Sequence, residues 1–547
     1  MNKLLAGKMM RFSGSRAGGL EKIVSLLHPF LLALYPTLFL YAYNINYFKE
    51  SVLVIPLLIS LISTGIILLI NWLIFRKLTV AAIITSLFVF FFFSYGRIKE
   101  PVKNIGFNLG NVFISPDKIL FAVILTLFGF IIFWLVSGKR DLTKINKAIS
   151  IFSLFLVIMA VCNTVSFEIK RGRIQLSNLG KDASQFSDPR STQTPDIYYF
   201  ILDRYDGDPT LKDYGFDNSS FINFLKSKGF YIASNSTSNY PKTFLSLAST
   251  LNMEYLDFLT LATNGGASAD ESIVTPLIQN NKVIQFLKSR GYSYIHVGSG
   301  WNPTRFNPYA DRNFVMSGGR YPFADEFTNG LLQTTIAAPI LKKIYPDRTA
   351  ISQDPKNNEF RSRILYEFSV FDQIPKMAGP KFVFAHILIP HDPYVLGKDC
   401  EPLVEGTVVS RPNVENYVNQ LQCANKKTEE TIEKILADSK QLPIIIIQAD
   451  EGQMPIKNPI PPNLAWGQAS DASIREKFPI LNAYLLPNQE TNSLYLSITP
   501  VNSFRILFNS YFGTDYSLLP DKNIIFEDGN NLYKFIDVTK RVKNLLK

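Results

Sequence analysis

The chain has 547 residues, 47% of them hydrophobic, with three cysteines, four histidines and a formal net charge of +11. That length leaves room for more than one domain, and the apolar residues are concentrated in the first third. No basic-aromatic module accompanies the charge, much of which sits between apolar runs. It therefore reads as membrane topology plus attraction to anionic head groups rather than as nucleic-acid binding.

The leader "MNKLLAGKMMRFSGSRAGG" lacks the apolar core of a signal peptide, so no cleavable signal is expected. Five apolar runs follow, near 27–46, 52–75, 79–95, 118–137 and 147–166, each read as a transmembrane helix of roughly 20 residues. The third is short but almost wholly apolar. Lys3, Lys8, Arg11, Arg16 and Lys22 precede the first run, Arg76 and Lys77 fill the second turn, and Lys139, Arg140, Lys144 and Lys147 fill the fourth. Short basic loops stay in the cytoplasm, so the N-terminus is expected inside the plasma (inner) membrane and the C-terminal part outside, periplasmic or extracellular.

Residues 167–194 are polar and largely aperiodic and are read as a stalk. From 195 to 547, short apolar runs alternate with helix-period segments, which predicts an α/β domain with a central, mainly parallel sheet flanked by helices. The run "PIIIIQ" is apolar on both strand faces, as a strand covered on both sides should be. Cys162 lies in the fifth apolar run and reads as packing. Cys400 and Cys423 fall in the outward domain, where an oxidising compartment permits pairing; a disulfide and two partly buried thiols both remain open.

Two apolar strands end in acids: "DIYYFILD" closes on Asp203 and "PIIIIQAD" on Asp450, with Glu451 next. Between them, "NYPKTFLSLAST" holds Thr243, with Ser246, Ser249 and Thr250 as rival hydroxyls. Open α/β sheets bind ligands at the carboxyl ends of their strands, and carboxylates there suit a hard divalent cation. A hydroxyl needs such a metal or a base before it becomes a good nucleophile. At a helix start, Thr243 would also face an anion-binding terminus, although an N-cap would look the same from sequence. Asp206 and Asp208, in "DGDP", read as turn residues.

In order, "PDIYYFILDRYDG", "NYPKTFLSLAST", "FVFAHILIPHDPY" and "PIIIIQADEGQ" resemble the sulfatase-like part of the alkaline phosphatase superfamily. With membrane spans ahead, the chain looks most like the membrane-anchored phosphotransferases, such as lipoteichoic acid synthases and phosphoethanolamine transferases. The resemblance implies metal ligation by Asp203, Thr243, Asp450 and Glu451, with Thr243 as nucleophile. It also implies that His391 and His386 assist the substrate or leaving group. Sulfatases proper carry a C-x-P-x-R setting that this segment lacks, which disfavours sulfate-ester hydrolysis. The chain departs from the family at Glu451, where the motif has His. An all-oxygen set favours manganese or magnesium over zinc as the single divalent ion. The extra carboxylate would repel a phosphodiester unless cations such as Arg204 and Lys242 offset it. The implied activity is transfer of a phosphate-linked head group from a membrane lipid donor, through Thr243, to an envelope glycan, lipid or polymer. A phosphodiesterase of the same superfamily, and a non-catalytic descendant that binds envelope glycan or lipid, are the alternatives.

Overall fold

The structure is a computed structural model. It describes residues 26–547 except 46–47, 49, 103–105, 110–111, 138–140, 180–194, 264, 317–325, 345–354, 404–412 and 488–492. The basic leader before residue 26 and stalk residues 180–194 therefore lie outside the described residues. The chain divides into two compact units: Met1–Lys170 with Ser317–Arg348, and Arg171–Met316 with Thr349–Lys547.

The first unit is helical, with α1 (His28–Tyr43), α2 (Val54–Phe75), α3 (Leu78–Lys99), α4 (Pro116–Val136) and α5 (Thr143–Leu179). Among the described residues, four stretches are long and apolar enough to cross a membrane: Glu50–Phe75, Leu78–Val102, Pro116–Val136 and Thr143–Phe167. The expected span at 27–46 is instead the 16-residue α1. Its length of about 24 Å falls short of the roughly 30 Å hydrocarbon thickness. The short third run proves longer than its apolar core, because α3 continues through Arg97 and Lys99 for 22 residues. Arg76, in the left-handed region at φ 53°, ends α2 and reverses the chain into α3. The segment expected to begin the stalk at 167 continues α5 as helix to Leu179.

His28 is fully buried. Its Nδ1 meets Ser86 Oγ, and its Nε2 lies 2.7 Å from Asn146 Oδ1, tying α1 to α3 and α5. With both ring nitrogens partnered, the side chain is a satisfied structural tie in an apolar unit. Cys162 lies exposed on α5 rather than packed inward. Two short helices from far downstream, Glu326–Gln333 and Ala338–Ile344, belong to this unit as well. Phe327 sets its ring edge-on to Tyr41 and Phe48, with centroids 6.5 and 5.3 Å away.

The second unit is built on a seven-stranded sheet. Its strands are β1 (Ile197–Leu202), β2 (Tyr231–Ile232), β3 (Ser293–Val297), β4 (Arg312–Phe314), β5 (Lys381–Ile387), β6 (Ile444–Gln448) and β7 (Asn482–Leu485). The spatial order is β2-β7-β6-β1-β5-β3-β4. Five of these strands run parallel, and β7 and β2 complete one edge antiparallel. All six residues of β1 are buried. Ile197, Tyr199 and Ile201 join one core, while Tyr198, Phe200 and Leu202 join the other. The period-2 alternation of a strand thus places apolar side chains in both layers, which is why β1 and β6 read as unbroken apolar runs. On the first face pack α6 (Thr243–Asn252) and α8 (Ser503–Phe512); on the other packs α7 (Val414–Asp438). Cys400 and Cys423 form a disulfide that fastens the 400 region to α7.

Candidate metal centre

Strand register decides which side chains meet. Ile201 on β1 aligns with His386 on β5 and with Gln448 on β6. Asp203 lies two residues past Ile201, and Asp450 two past Gln448. Successive side chains along a strand alternate between faces, so Asp203, His386 and Asp450 share the face that carries Ile201. That is the face covered by α6.

The result is a compact cluster at the carboxyl edge of the three central strands. One ligand atom from each of Asp203, His386 and Asp450 lies within 4.8 Å of the others. All three residues are buried. His386 Nε2 is 3.4 Å from Asp203 Oδ2. Asp203 Oδ1, Asp450 Oδ2 and His386 Nε2 are buried polar atoms without a hydrogen-bond partner. A buried polar atom left unpaired costs about 1–3 kcal/mol, more if charged, so a cluster in which each of the three residues carries such an atom is a donor set that a cation would satisfy. The other imidazole nitrogen, Nδ1, is 2.8 Å from Thr304 Oγ1, which in turn contacts Ser299 Oγ at 2.8 Å. This outer contact fixes the ring and leaves Nε2 turned toward the acids, the usual arrangement around a metal-binding histidine.

Thr243 is the first residue of α6, preceded by Lys242 in extended conformation at the N-cap. Its side chain lies beside the Asp450 carboxyl and favours the charged form of that acid. Of the rival hydroxyls, Ser246 bonds Tyr240 O and Ser249 bonds Glu254 O within the fold. Thr243 is therefore the hydroxyl of "NYPKTFLSLAST" held at the acid cluster, and it stands at a helix terminus that favours a bound anion.

Glu451, expected from the sequence as a metal ligand, follows Asp450 in the bend beyond β6, and its Oε2 is a further buried oxygen without a hydrogen-bond partner. It is wholly buried, and its Oε1 lies 3.2 Å from Lys477 Nζ and 3.3 Å from Arg204 Nε. Lys477, equally buried, also donates to Gly452 O at 2.6 Å. Gly452 packs so closely that a Cβ there would sit 2.3 Å from Lys477 O. The extra carboxylate is thus opposed by two cations, Arg204 as expected and Lys477 in place of Lys242. Nothing in "SIREKFPI" marks Lys477 as buried, since a lysine in a charged helical segment reads as solvated.

Arg204 connects the pieces. It adopts φ 61°, an uncommon left-handed conformation for a non-glycine residue. Its backbone N–H reaches Asp450 Oδ1 at 3.2 Å and its Nη1 reaches Asp392 Oδ1 at 2.7 Å. Asp392 stands 3.6 Å from His391 Nδ1. His391 keeps 25% of its side chain exposed, the most open of the charged groups near Asp203 apart from Asp392 at 26%. His296 donates or accepts through both ring nitrogens, to Tyr294 Oη and Thr304 O, and is structural.

The electrostatics separate the two acids. Burial pushes Asp203 up, but the imidazoles of His391 and His386 and the Arg204 guanidinium outweigh it and hold the carboxyl below its ordinary range. Asp450 is raised well above its ordinary value by burial, then by the charges of Asp203 and Glu451. A buried carboxyl pair with opposed shifts is a frequent mark of a functional site. His391 is lowered by burial and then by Arg204. Asp206, read as a turn acid, is also buried, and burial raises it to about 8. It accepts from Gln453 N at 2.7 Å and so pins the loop that follows Glu451.

No family model matches the chain, and no curated protein does. Among solved structures, the chain is similar to the C-terminal periplasmic domain of EptC from Escherichia coli in complex with zinc. The identity is 13%, over 64% of this chain and 94% of that one, with a TM-score of 0.40. It is similar also to the integral membrane lipooligosaccharide phosphoethanolamine transferase EptA from Neisseria meningitidis, at 12% identity, over 88% and 94% of the chains, with a TM-score of 0.36. A protein of the alkaline phosphatase superfamily from Vibrio parahaemolyticus matches at 9% identity, over 65% and 80%, with a TM-score of 0.38. At these scores the likeness is distant.

Proposed function

We propose that the chain is a membrane-anchored, metal-dependent phosphotransferase of the sulfatase-like type. In this reading Asp203, Asp450 and His386 hold one divalent cation, and Thr243 is the nucleophile. The observation that carries the proposal is the buried cluster of Asp203, Asp450 and His386, each with an unpartnered polar atom, on the face where Thr243 lies beside Asp450. With His386 supplying nitrogen, the donor set is no longer all oxygen. It suits zinc as well as manganese or magnesium, so the sequence preference against zinc loses its basis.

The bound cation would lower the pKa of a coordinated hydroxyl and offset charge on a phosphoryl oxygen. The remaining work falls to the chain. Thr243 Oγ, its proton given up to solvent beforehand, attacks phosphorus as the alkoxide, the bond from phosphorus to the donor's alcohol oxygen breaks, and protonated His391 gives the departing oxygen its proton. Arg204 and the first amides of α6 face the negative charge of the phosphodiester. An acceptor hydroxyl then attacks the phosphothreonine, the bond from phosphorus to Thr243 Oγ breaks, and the acceptor's proton returns to His391. A lipid donor fits a chain with four membrane-capable helices, and the envelope is the setting in which such a donor and a glycan or lipid acceptor meet. The proposed topology keeps the N-terminus cytoplasmic, with α1 as a short fifth crossing.

The test is mass spectrometry of the full-length protein incubated with phospholipid. A phosphate-linked adduct on Thr243, lost in Thr243→Ala, supports the transferase. Release of free head group without acceptor marks the phosphodiesterase instead. An unmodified Thr243 with no turnover of any phospholipid offered, in protein carrying its metal, defeats both.

A further inference from the structure

Within the helical unit, α1, α3 and α5 leave a groove of about 170 Å³ whose fourth wall is the re-entrant segment. Its lining is almost entirely aliphatic and aromatic, including Phe39, Phe93, Leu156 and Leu331. Pro36 stands in the α1 wall, where a helix cannot complete its ladder and tends to bend. The groove is slightly larger than the ~150 Å³ apolar cavity that suffices to take up a benzene-sized guest.

One charge belongs to this groove. Arg97, near the end of α3, lines it and lays its guanidinium over the Phe39 ring at 4.8 Å. The neighbouring Lys99 is paired with Asp117 at 2.7 Å, and Tyr95 donates to the same carboxylate at 2.6 Å. Among the described residues Arg97 has no carboxylate partner. An exposed guanidinium closing an apolar slot at the end of a membrane-length helix is complementary to one negative charge carried on a hydrocarbon chain.

The fourth wall is built in. Gly96 N donates to Thr334 O and Ile336 N donates to Phe92 O, both at 2.9 Å, so 334–336 is clamped to one turn of α3 by backbone bonds. A Cβ at Gly96 would approach Thr334 Cα to 3.0 Å, so any larger residue there would have to push the segment back by a few tenths of an ångström. The clamp brings Leu331 and Thr334 against the groove beside Arg97.

We propose that this groove is a binding site for one anionic phospholipid of the surrounding bilayer. An acyl chain lies between α1, α3 and α5, and the lipid phosphate bonds Arg97. The proposal rests on residues of the helical unit and does not depend on the proposed catalysis.

Native mass spectrometry of the full-length protein in detergent, titrated with phosphatidylglycerol or phosphatidylcholine, tests it. The wild type should retain one phosphatidylglycerol and bind phosphatidylcholine much less. Arg97→Gln should weaken phosphatidylglycerol at least about tenfold, the loss expected for one charge-assisted hydrogen bond. Leu156→Trp should abolish retention by filling the groove, whereas Arg76→Gln, in the turn between α2 and α3, should leave it unchanged. Equal retention of the two lipids by wild type overturns the proposal, as does undiminished phosphatidylglycerol on Arg97→Gln. Should Arg97→Gln fail to purify as a monodisperse protein, Arg97→Lys decides. Retained preference for phosphatidylglycerol in that variant supports the site, and equal binding of both lipids refutes it.

Discussion

Replacing Lys477 by Met should damage the second unit more than a surface lysine substitution could. Lys477 Nζ and Glu451 Oε1 are 3.2 Å apart with neither side chain exposed. At an effective dielectric of about 20, that separation corresponds to a gross attraction of about 5 kcal/mol. The methionine would fill the space but leave Glu451 buried with Arg204 as its remaining cation, 3.3 Å away. Breaking a buried pair by removing one partner costs about 3–5 kcal/mol, and the surviving Arg204 contact sets the expectation at the low end, about 3 kcal/mol. Adding Glu451→Gln removes the stranded charge, so the double variant should recover at least half of the loss, a coupling of about 1.5 kcal/mol or more. Hydrogen exchange of the β6 and β7 amides in the full-length protein reads these opening free energies directly. A Lys477→Met protein with wild-type protection in β6, or a double variant no better than the single, would refute the claim that Glu451 serves as the partner of buried cations.

Glu451→His should lower stability without raising activity, because it sets an imidazole beside Lys477 and Arg204; thermal unfolding and turnover together check this. Substituting Ser for both Cys400 and Cys423 should cost about 3 kcal/mol by the loop-closure relation for a separation of 23 residues, measured as lost protection in α7. Burial lowers His296 to about 4 from its ordinary 6.5. A histidine kept neutral by folding contributes stability that is present above pH 6.5 and lost as the pH falls toward about 4, on the order of 3 kcal/mol in all. His296→Gln should flatten the stability profile across that window; an unchanged slope would contradict it.

Much of this was legible in the sequence because strand chemistry is local. The unbroken apolar runs of β1 and β6, each ending in an acid, placed Asp203 and Asp450 at one sheet edge, and parallel register did the rest. The start of α6 at Thr243 was legible from the segment itself. That His386 meets the acids was not: it sits inside the apolar run "FVFAHILIP", and the alignment with Ile201 turns it toward them rather than into the core. The cation beside Glu451 was also hidden, because Lys477 lies 26 positions downstream. The re-entrant helices were hidden as well, since nothing in their composition distinguishes packing in the helical unit from packing on the sheet.

The metal content of purified protein, determined by inductively coupled plasma mass spectrometry, tests the central claim most directly. The account predicts about one divalent ion per chain in wild type and in Glu451→Gln, and little or none in Asp203→Ala, Asp450→Ala and His386→Ala. Metal lost from Glu451→Gln but kept by His386→Ala would contradict it.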